Sequence, residues 1–337
     1  MPASGRQVLQ GVNRTFRARP VRRRATVSDP RPMRTFLVVN PESAGGTTGR
    51  RWPEIRAEVL RAVGDGAVHA FTERPMHAAA LTAEALRSGF RRIVAVGGDG
   101  TLNEVVNGFF QAGSPVPPDA CLALVPRGTG GDFRRTFGLN GSLRETCARL
   151  TGDIRPLDVG RVRFTRPDGT PGERYFVNVA SFGVSGQVDR AVNASSKVLG
   201  GKVSFFLASV RTLVGWRDQT VRIRVDGGPE ETLGITTLAV ANGQYFGGGM
   251  RVAPEADPSD GQLDVTIWSG YHLKDFALKS ASVYDGRHVR WAGTRTLRCR
   301  RLEATSDEEV LLDVDGEQPG RLPATFEVLA GALRLQV

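Results

Sequence analysis

The chain has 337 residues, 40% of them hydrophobic and 24% charged, enough for a large core and better matched to two domains than to one. Its net charge of +10 suggests nucleic acid or membrane, yet nine arginines against a single acid, Asp29, place eight of those ten charges in residues 1–34. What remains is close to neutral, which argues against a nucleic-acid-binding fold, and the widely spaced Cys121, Cys147 and Cys299 argue against a disulfide framework or zinc site and for a reducing compartment.

Residues 1–34 read as a disordered Arg-rich tail, with a mitochondrial transit peptide and translation from Met33 as alternatives the same composition allows. From Thr35 strands and helices alternate. Phe36–Asn40 is a short apolar strand ending in Asn-Pro and a Gly/Ser/Thr loop, and Trp52–Val63 is an amphipathic helix with Trp52, Ile55, Val59 and Val63 on one face. A strand at Ala67–Phe71 precedes an Ala-rich helix over Pro75–Leu86, opened by proline. Strands at Ile93–Val96 and Leu122–Val125 each run into a glycine loop. Elements in this order predict a parallel sheet with right-handed crossovers.

After Leu157 the texture turns to short strands, at 161–164, 175–179, 220–225, 233–240, 263–268 and 310–314. Asp-Gly pairs at 168, 226, 260, 285 and 315 predict hairpins. One helical stretch, Lys197–Trp216, interrupts them, and Phe326–Val337 reads as a closing strand pair. The expected organisation is a tail (1–34), a nucleotide-binding α/β domain (35–157), an antiparallel β-sandwich substrate domain (158–319) and C-terminal strands returning to the first domain (320–337). No stretch approaches the ~18 apolar residues of a membrane span; Val198–Val214 is broken by Lys202 and Arg211.

Two loops carry chemistry. Gly97-Gly98-Asp99-Gly100-Thr101 follows a buried strand and opens a helix, so its N–H groups favour phosphate. Thr101 and Glu104 have the spacing of a capping box. Asp99 would repel phosphate unless a divalent cation lay between them, as in an ATP·Mg²⁺ site. Pro126–Phe133 is a second glycine loop, in which Asp132 either orients metal-bound water or caps a helix. Neither a Walker A sequence nor the HRD and DFG motifs of protein kinases occur. His69, His77, His272 and His288 lack metal-ligand spacing.

The run Gly-Gly-Asp-Gly-Thr-Leu-Asn-Glu-Val-Val-Asn-Gly (97–108) resembles the signature of the diacylglycerol kinase catalytic-domain family. Further elements follow in the family's order: Asn40-Pro41 and its loop, residues 126–133, Asp158-x-Gly160, Asn242–Met250 leading to Ala253-Pro and Asp260-Gly261, and Asp315-Gly-Glu317. The resemblance covers residues 35–337 and implies an NAD-kinase/phosphofructokinase-like α/β domain followed by a β-sandwich. It implies that Asn40, Thr72, Gly97, Gly98, Asp99, Gly100, Thr101, Gly128 and Thr129 hold ATP and its Mg²⁺, with Asp132 and Asp158 in the acidic network around that ion. It further implies Asp315 as general base, Glu317 as its supporting carboxylate, and Asp257, Asp260 and the Gln262 carbonyl as a structural magnesium site. One departure stands out: Gly131 occupies the place of the family's asparagine.

The implied activity is transfer of the ATP γ-phosphoryl group to a hydroxyl of a diacylglycerol-like lipid by a cytoplasmic enzyme working peripherally at the membrane surface. Val198–Trp216 would then cover an acyl-chain entry or simply pack as a core-facing helix, and the Arg-rich tail would attract anionic lipid. A homodimer stays open. The competing readings are an NAD-kinase-like phosphotransferase with a soluble acceptor and a non-catalytic lipid- or nucleotide-binding regulator.

Overall fold

The computed structural model describes residues 33–111, 113–128, 130–188 and 215–337; most of the Arg-rich tail, Thr129 and most of the 197–216 stretch lie outside them. The apolar run after Met33 forms β1 (Thr35–Val39). A one-turn helix α1 (Thr47–Arg50), helix α2 (Trp52–Val63) and strand β2 (Val68–Phe71) follow. Helix α3 (His77–Arg87) starts two residues after Pro75 rather than on it, because Met76 takes up a left-handed N-cap conformation. Strand β3 (Arg92–Gly97) leads into α4 (Asp99–Gly108), a small ribbon of β4 (Phe110–Gln111) and β5 (Ser114–Pro115), and then β6 (Cys121–Pro126). Two short helices, α5 (Asp132–Thr136) and α6 (Leu143–Ala148), complete this half.

Strands β2, β1, β3 and β6 lie side by side in parallel. Successive residues of β3 point to opposite faces: Ile93 and Ala95 pack with Leu102, Val105 and Val106 of α4, while Val94 and Val96 pack with Trp52, Ile55 and Val59 of α2. A parallel sheet buried on both faces puts its loops at the carboxyl end, where both glycine loops emerge.

The second half opens with β7 (Ile154–Thr165), β8 (Pro171–Phe176) and β9 (Val179–Gly183). It continues with β10 (Gln219–Val225), β11 (Glu230–Ile235), β12 (Thr237–Ala241) and β13 (Leu263–Trp268). Helix α7 (Leu273–Tyr284) and strands β14 (Thr294–Cys299), β15 (Arg301–Thr305), β16 (Leu312–Val314) and β17 (Arg321–Gln336) close it. A five-stranded sheet, β14-β13-β12-β9-β16, packs on strands of the larger sheet around Phe176, Phe182, Ile223, Leu238, Leu302 and Phe326. The parallel sheet and the β-sandwich are the two architectures expected from the sequence.

The C-terminal segment is one long strand, not a pair. Strand β17 pairs antiparallel with β7 and, at Leu335, parallel with β6, so the large sheet runs β11-β10-β15-β17-β6-β3-β1-β2 through both halves. Its register slips between Leu329 and Leu333, where Gly331 has φ +59°. The Asp-Gly pairs at 168 and 226 do join hairpins, but Asp260-Gly261 sits in a loop before β13 and Asp285-Gly286 follows α7.

Candidate active site

The two glycine loops touch through their backbones. A Cβ on Gly128 would lie 2.6 Å from the Gly98 Cα, and one on Gly98 would lie 3.2 Å from the Gly128 Cα, so neither position accommodates a side chain without moving the other loop. The Arg127 N–H donates to the Gly97 carbonyl at 2.7 Å, and a Cβ on Gly97 would overlap the Thr101 hydroxyl.

Helix α4 begins three residues earlier than the capping-box reading places it. Gly98 is the N-cap in extended conformation, which leaves Thr101 inside the first turn. Its hydroxyl accepts from Asn40 Nδ2 (3.0 Å), while Asn40 Oδ1 accepts from the Glu42 N–H (3.0 Å). Glu104 reaches sideways instead of back, accepting from the Ala78 N–H at the start of α3 (3.0 Å). Thr72 donates its N–H to Val39, the residue before Asn40. Asn40, Gly97, Gly98, Asp99, Thr101 and Gly128 therefore cluster at the carboxyl end of the sheet, with Thr72 beside them. Gly100 is exposed, with nothing crowding its Cβ position.

Asp99 fastens the loops together. Its Oδ2 accepts from the N–H groups of Gly131 (2.7 Å) and Asp132 (3.2 Å), and its Oδ1 from Phe133 (3.3 Å). It thus supplies to α5 the cap that the N-cap residue, Gly131 at φ +67°, cannot. Asparagine also tolerates that left-handed conformation, but a Cβ here would overlap the Arg134 Nε, so an asparagine requires Arg134 to move. The buried Nε atoms of Arg127 and Arg134 lack a partner among the described residues.

Asp132 links the two halves. Its Oδ1 accepts from Arg135 (2.7 Å) and its Oδ2 from the Gly248 N–H (2.8 Å), while the Gln244 N–H donates to the Thr136 hydroxyl (3.0 Å). Burial pushes its carboxyl up to about 6, against the opposing pull of Gly248 and Arg135.

Asp315 and Gly316, at φ +50° and +89°, form the two-residue turn between Val314 and Glu317 that an Asp-Gly pair favours. The Asp315 carboxylate points inward. Its Oδ1 accepts from the N–H groups of Asn178 (3.2 Å) and Val179 (2.9 Å), and its Oδ2 from the Val177 N–H (3.1 Å) and Asn103 Nδ2 (2.9 Å). Burial nevertheless raises it to about 7, helped by the neighbouring Asp313 charge and opposed by Asn103 and the backbone donors. Glu317 is exposed on the same turn.

Asn103 connects the two halves of the site. It lies one turn along α4 from Asp99, a rise of about 6 Å, so Asp99 and Asp315 bracket the first turn of one helix. Asn103 and Asn107 both donate to the Tyr175 carbonyl, and Asn107 accepts from the Tyr175 N–H. These two amides were not singled out from the sequence. Their four-residue spacing, amid the buried Leu102, Val105 and Val106, was the available signal.

Asp158 goes elsewhere. Its Oδ1 accepts from the Gly331 N–H and its Oδ2 from the Gly261 N–H, both at 2.6 Å, so it ties β7 to the bulge of β17 and to the loop holding Asp257 and Asp260. In that loop Asp257 Oδ1 accepts from the Ser259 N–H (3.1 Å) and hydroxyl (2.6 Å), and Asp260 Oδ1 from the Gln262 N–H (3.0 Å). Asp260 Oδ2 is held by the Arg298 guanidinium. The Arg298 guanidinium thus puts a positive charge where the resemblance implies a structural magnesium ion.

Among the described residues no three His, Cys, Asp or Glu side chains are grouped to hold a metal by themselves. A magnesium ion carried on nucleotide phosphates keeps phosphate and water ligands and needs only one or two carboxylates. Asp99, with a lone-pair position open on Oδ1, fits that requirement.

Residues 34–162 match the diacylglycerol kinase catalytic domain, and residues 178–337 match the YegS C-terminal NAD kinase beta sandwich-like domain. A diacylglycerol kinase of Bacillus subtilis is 28% identical over 298 residues, 87% of this chain and 92% of its own. A probable lipid kinase, YegS-like, of Chromohalobacter salexigens is 32% identical over 236 residues, 69% and 70% of the two chains. The crystal structure of a diacylglycerol kinase from Bacillus anthracis superposes with a TM-score of 0.70 at 25% identity, covering 90% of this chain and 96% of that one.

Proposed function

This chain belongs to the diacylglycerol kinase catalytic-domain family, and from that premise we propose that it transfers the γ-phosphoryl group of ATP to a hydroxyl of a diacylglycerol-like lipid. One observation carries the reading: Asn103, on the helix headed by the first glycine loop, hydrogen-bonds the Asp315 carboxylate of the other half. The nucleotide loops and a carboxylate raised to about 7 are thereby held around one helical turn.

In this reading the Gly97–Thr101 and Pro126–Gly131 loops, with Asn40 and Thr72, receive ATP, and Thr129, outside the described residues, belongs to the second loop. The unpartnered Arg127 and Arg134 Nε atoms suit an anion there. Asp99 would hold magnesium arriving with the nucleotide; that ion would offset phosphate charge. Asp132 positions the second loop against the Gly247–Gly249 turn, and Asp158 braces the sandwich. Asp315 takes the hydroxyl proton as the phosphoryl group transfers. All four of its lone-pair positions are engaged, so accepting that proton requires one donor to withdraw, and Asn103 is the one side-chain donor able to rotate. Glu317 lies at the outer side of the turn, toward the approaching lipid.

No helix among the described residues is long and apolar enough to cross a membrane. We assign the enzyme to the membrane surface through peripheral contact, with the 1–34 tail and the 198–216 stretch supplying that contact, and with a dimer permitted.

The test is an incubation of the full chain with labelled ATP, magnesium and either dioleoylglycerol in phosphatidylcholine vesicles or soluble NAD. Label should enter the organic phase as a lipid phosphomonoester. Label confined to NAD, or absent from every lipid offered, contradicts the proposal.

A further inference from the structure

The loop before β13 gathers negative charge. Asp257 and Asp260 lie in it, Asp158 accepts from its Gly261 N–H, and Asp264, which is 9% exposed, follows at the start of β13. Such a group needs a counter-ion or it opens. Arg298, paired in register with Asp264 across β13 and β14, lays its guanidinium over two of these carboxylates. Its Nε donates to Asp264 Oδ2 at 3.3 Å and its Nη2 to Asp260 Oδ2.

We infer that Arg298 is the built-in counter-ion of this loop, so that the loop keeps its shape without a divalent cation. The planar guanidinium suits this task, because its fork reaches two carboxylates on different segments at once and cannot lose its charge. The effect reaches the nucleotide side through a chain of hydrogen bonds. Asp260 and Gly261 lie in the loop that pins Asp158, and Gln244 Nε2 donates to the Ala256 carbonyl just before it (3.1 Å). Gln244 in turn meets Thr136, four residues before the Gly248 N–H that holds Asp132. A loosened acidic loop therefore loosens the turn against which α5 is set.

The experiment is thermal unfolding of the full chain and of R298A, without nucleotide, in excess EDTA or millimolar magnesium at equal ionic strength. The wild-type midpoint should be the same in both. The R298A midpoint should fall by about 2–4 °C or more in EDTA and recover in magnesium, because the exposed carboxylates then recruit the metal. A wild-type midpoint that drops on chelation overturns the inference, as does an R298A midpoint indifferent to magnesium. If R298A does not fold, manganese binding to the wild-type chain, read by electron paramagnetic resonance, still decides. No nucleotide-independent tight site should appear, and one that disappears in D260N refutes the role given to Arg298.

Discussion

Replacing Asp315 with asparagine should lower kcat by about 10²–10⁴-fold, the usual worth of a positioned general base, while the chain remains folded. Asparagine is the right probe because it accepts the left-handed conformation (φ +50°) that alanine resists. Its oxygen can still receive the Asn178 and Val179 N–H groups. Its amide would face the Val177 N–H and Asn103 Nδ2, donor against donor, until the Asn103 amide flips. That mismatch costs about 1–3 kcal/mol, too little to explain so large a kinetic loss.

The pH dependence separates chemistry from packing. With the carboxyl raised to about 7, the active ionised form accumulates as pH climbs, so wild-type kcat/KM should rise through neutrality and level off. The residual rate of D315N should lack that rising limb. Stability should move the opposite way. Between the ordinary 3.8 and about 7 the folded state binds a proton that the unfolded state releases, so this group's contribution falls as pH rises across that window. In D315N that dependence should vanish. A D315N enzyme with unchanged kcat at neutral pH would remove Asp315 from the chemistry.

Asp99→Asn should act on geometry and chemistry together. The carboxylate receives three N–H groups of the second loop, at 2.7, 3.2 and 3.3 Å. An amide oxygen takes at most two of them, and its NH₂ repels the third. Each charge-assisted bond is worth about 1.5–3 kcal/mol, so the thermal midpoint should fall by several degrees. The second loop would then drift from the first, and misplacement alone costs about 10²-fold in kcat/KM. Loss of the magnesium ligand proposed here adds to that, so the ATP KM and kcat should both worsen. Calorimetry showing unchanged ATP·Mg²⁺ affinity in D99N would contradict this.

What could be read from the sequence is what local chemistry dictates. Helix α2 appears at its expected bounds because its apolar spacing and its Pro53 act within a few residues. Both glycine loops follow their strands for the same reason. The capping box failed because an extended Gly98 starts α4 early, turning Thr101 toward Asn40 and Glu104 toward α3, both tertiary choices. A strand pair was expected over Phe326–Val337; the structure has one strand there, with a bulge at Gly331 whose N–H reaches Asp158. Strand β14 shows no apolar alternation, because Arg295 and Arg298, three residues apart, take positions on both faces of an edge strand. The partners of Asp315, 136 to 138 and 212 positions away, leave no trace in local pattern.

The comparison that bears most directly on the shared-turn arrangement is kcat/KM for D99N, D315N and the double variant, measured on one lipid substrate. Groups that serve one catalytic event lose their effect together, so the double variant should fall no more than about tenfold below the slower single variant. If the two losses multiply in full, the carboxylates act independently and the helix turn between them is not a common active centre.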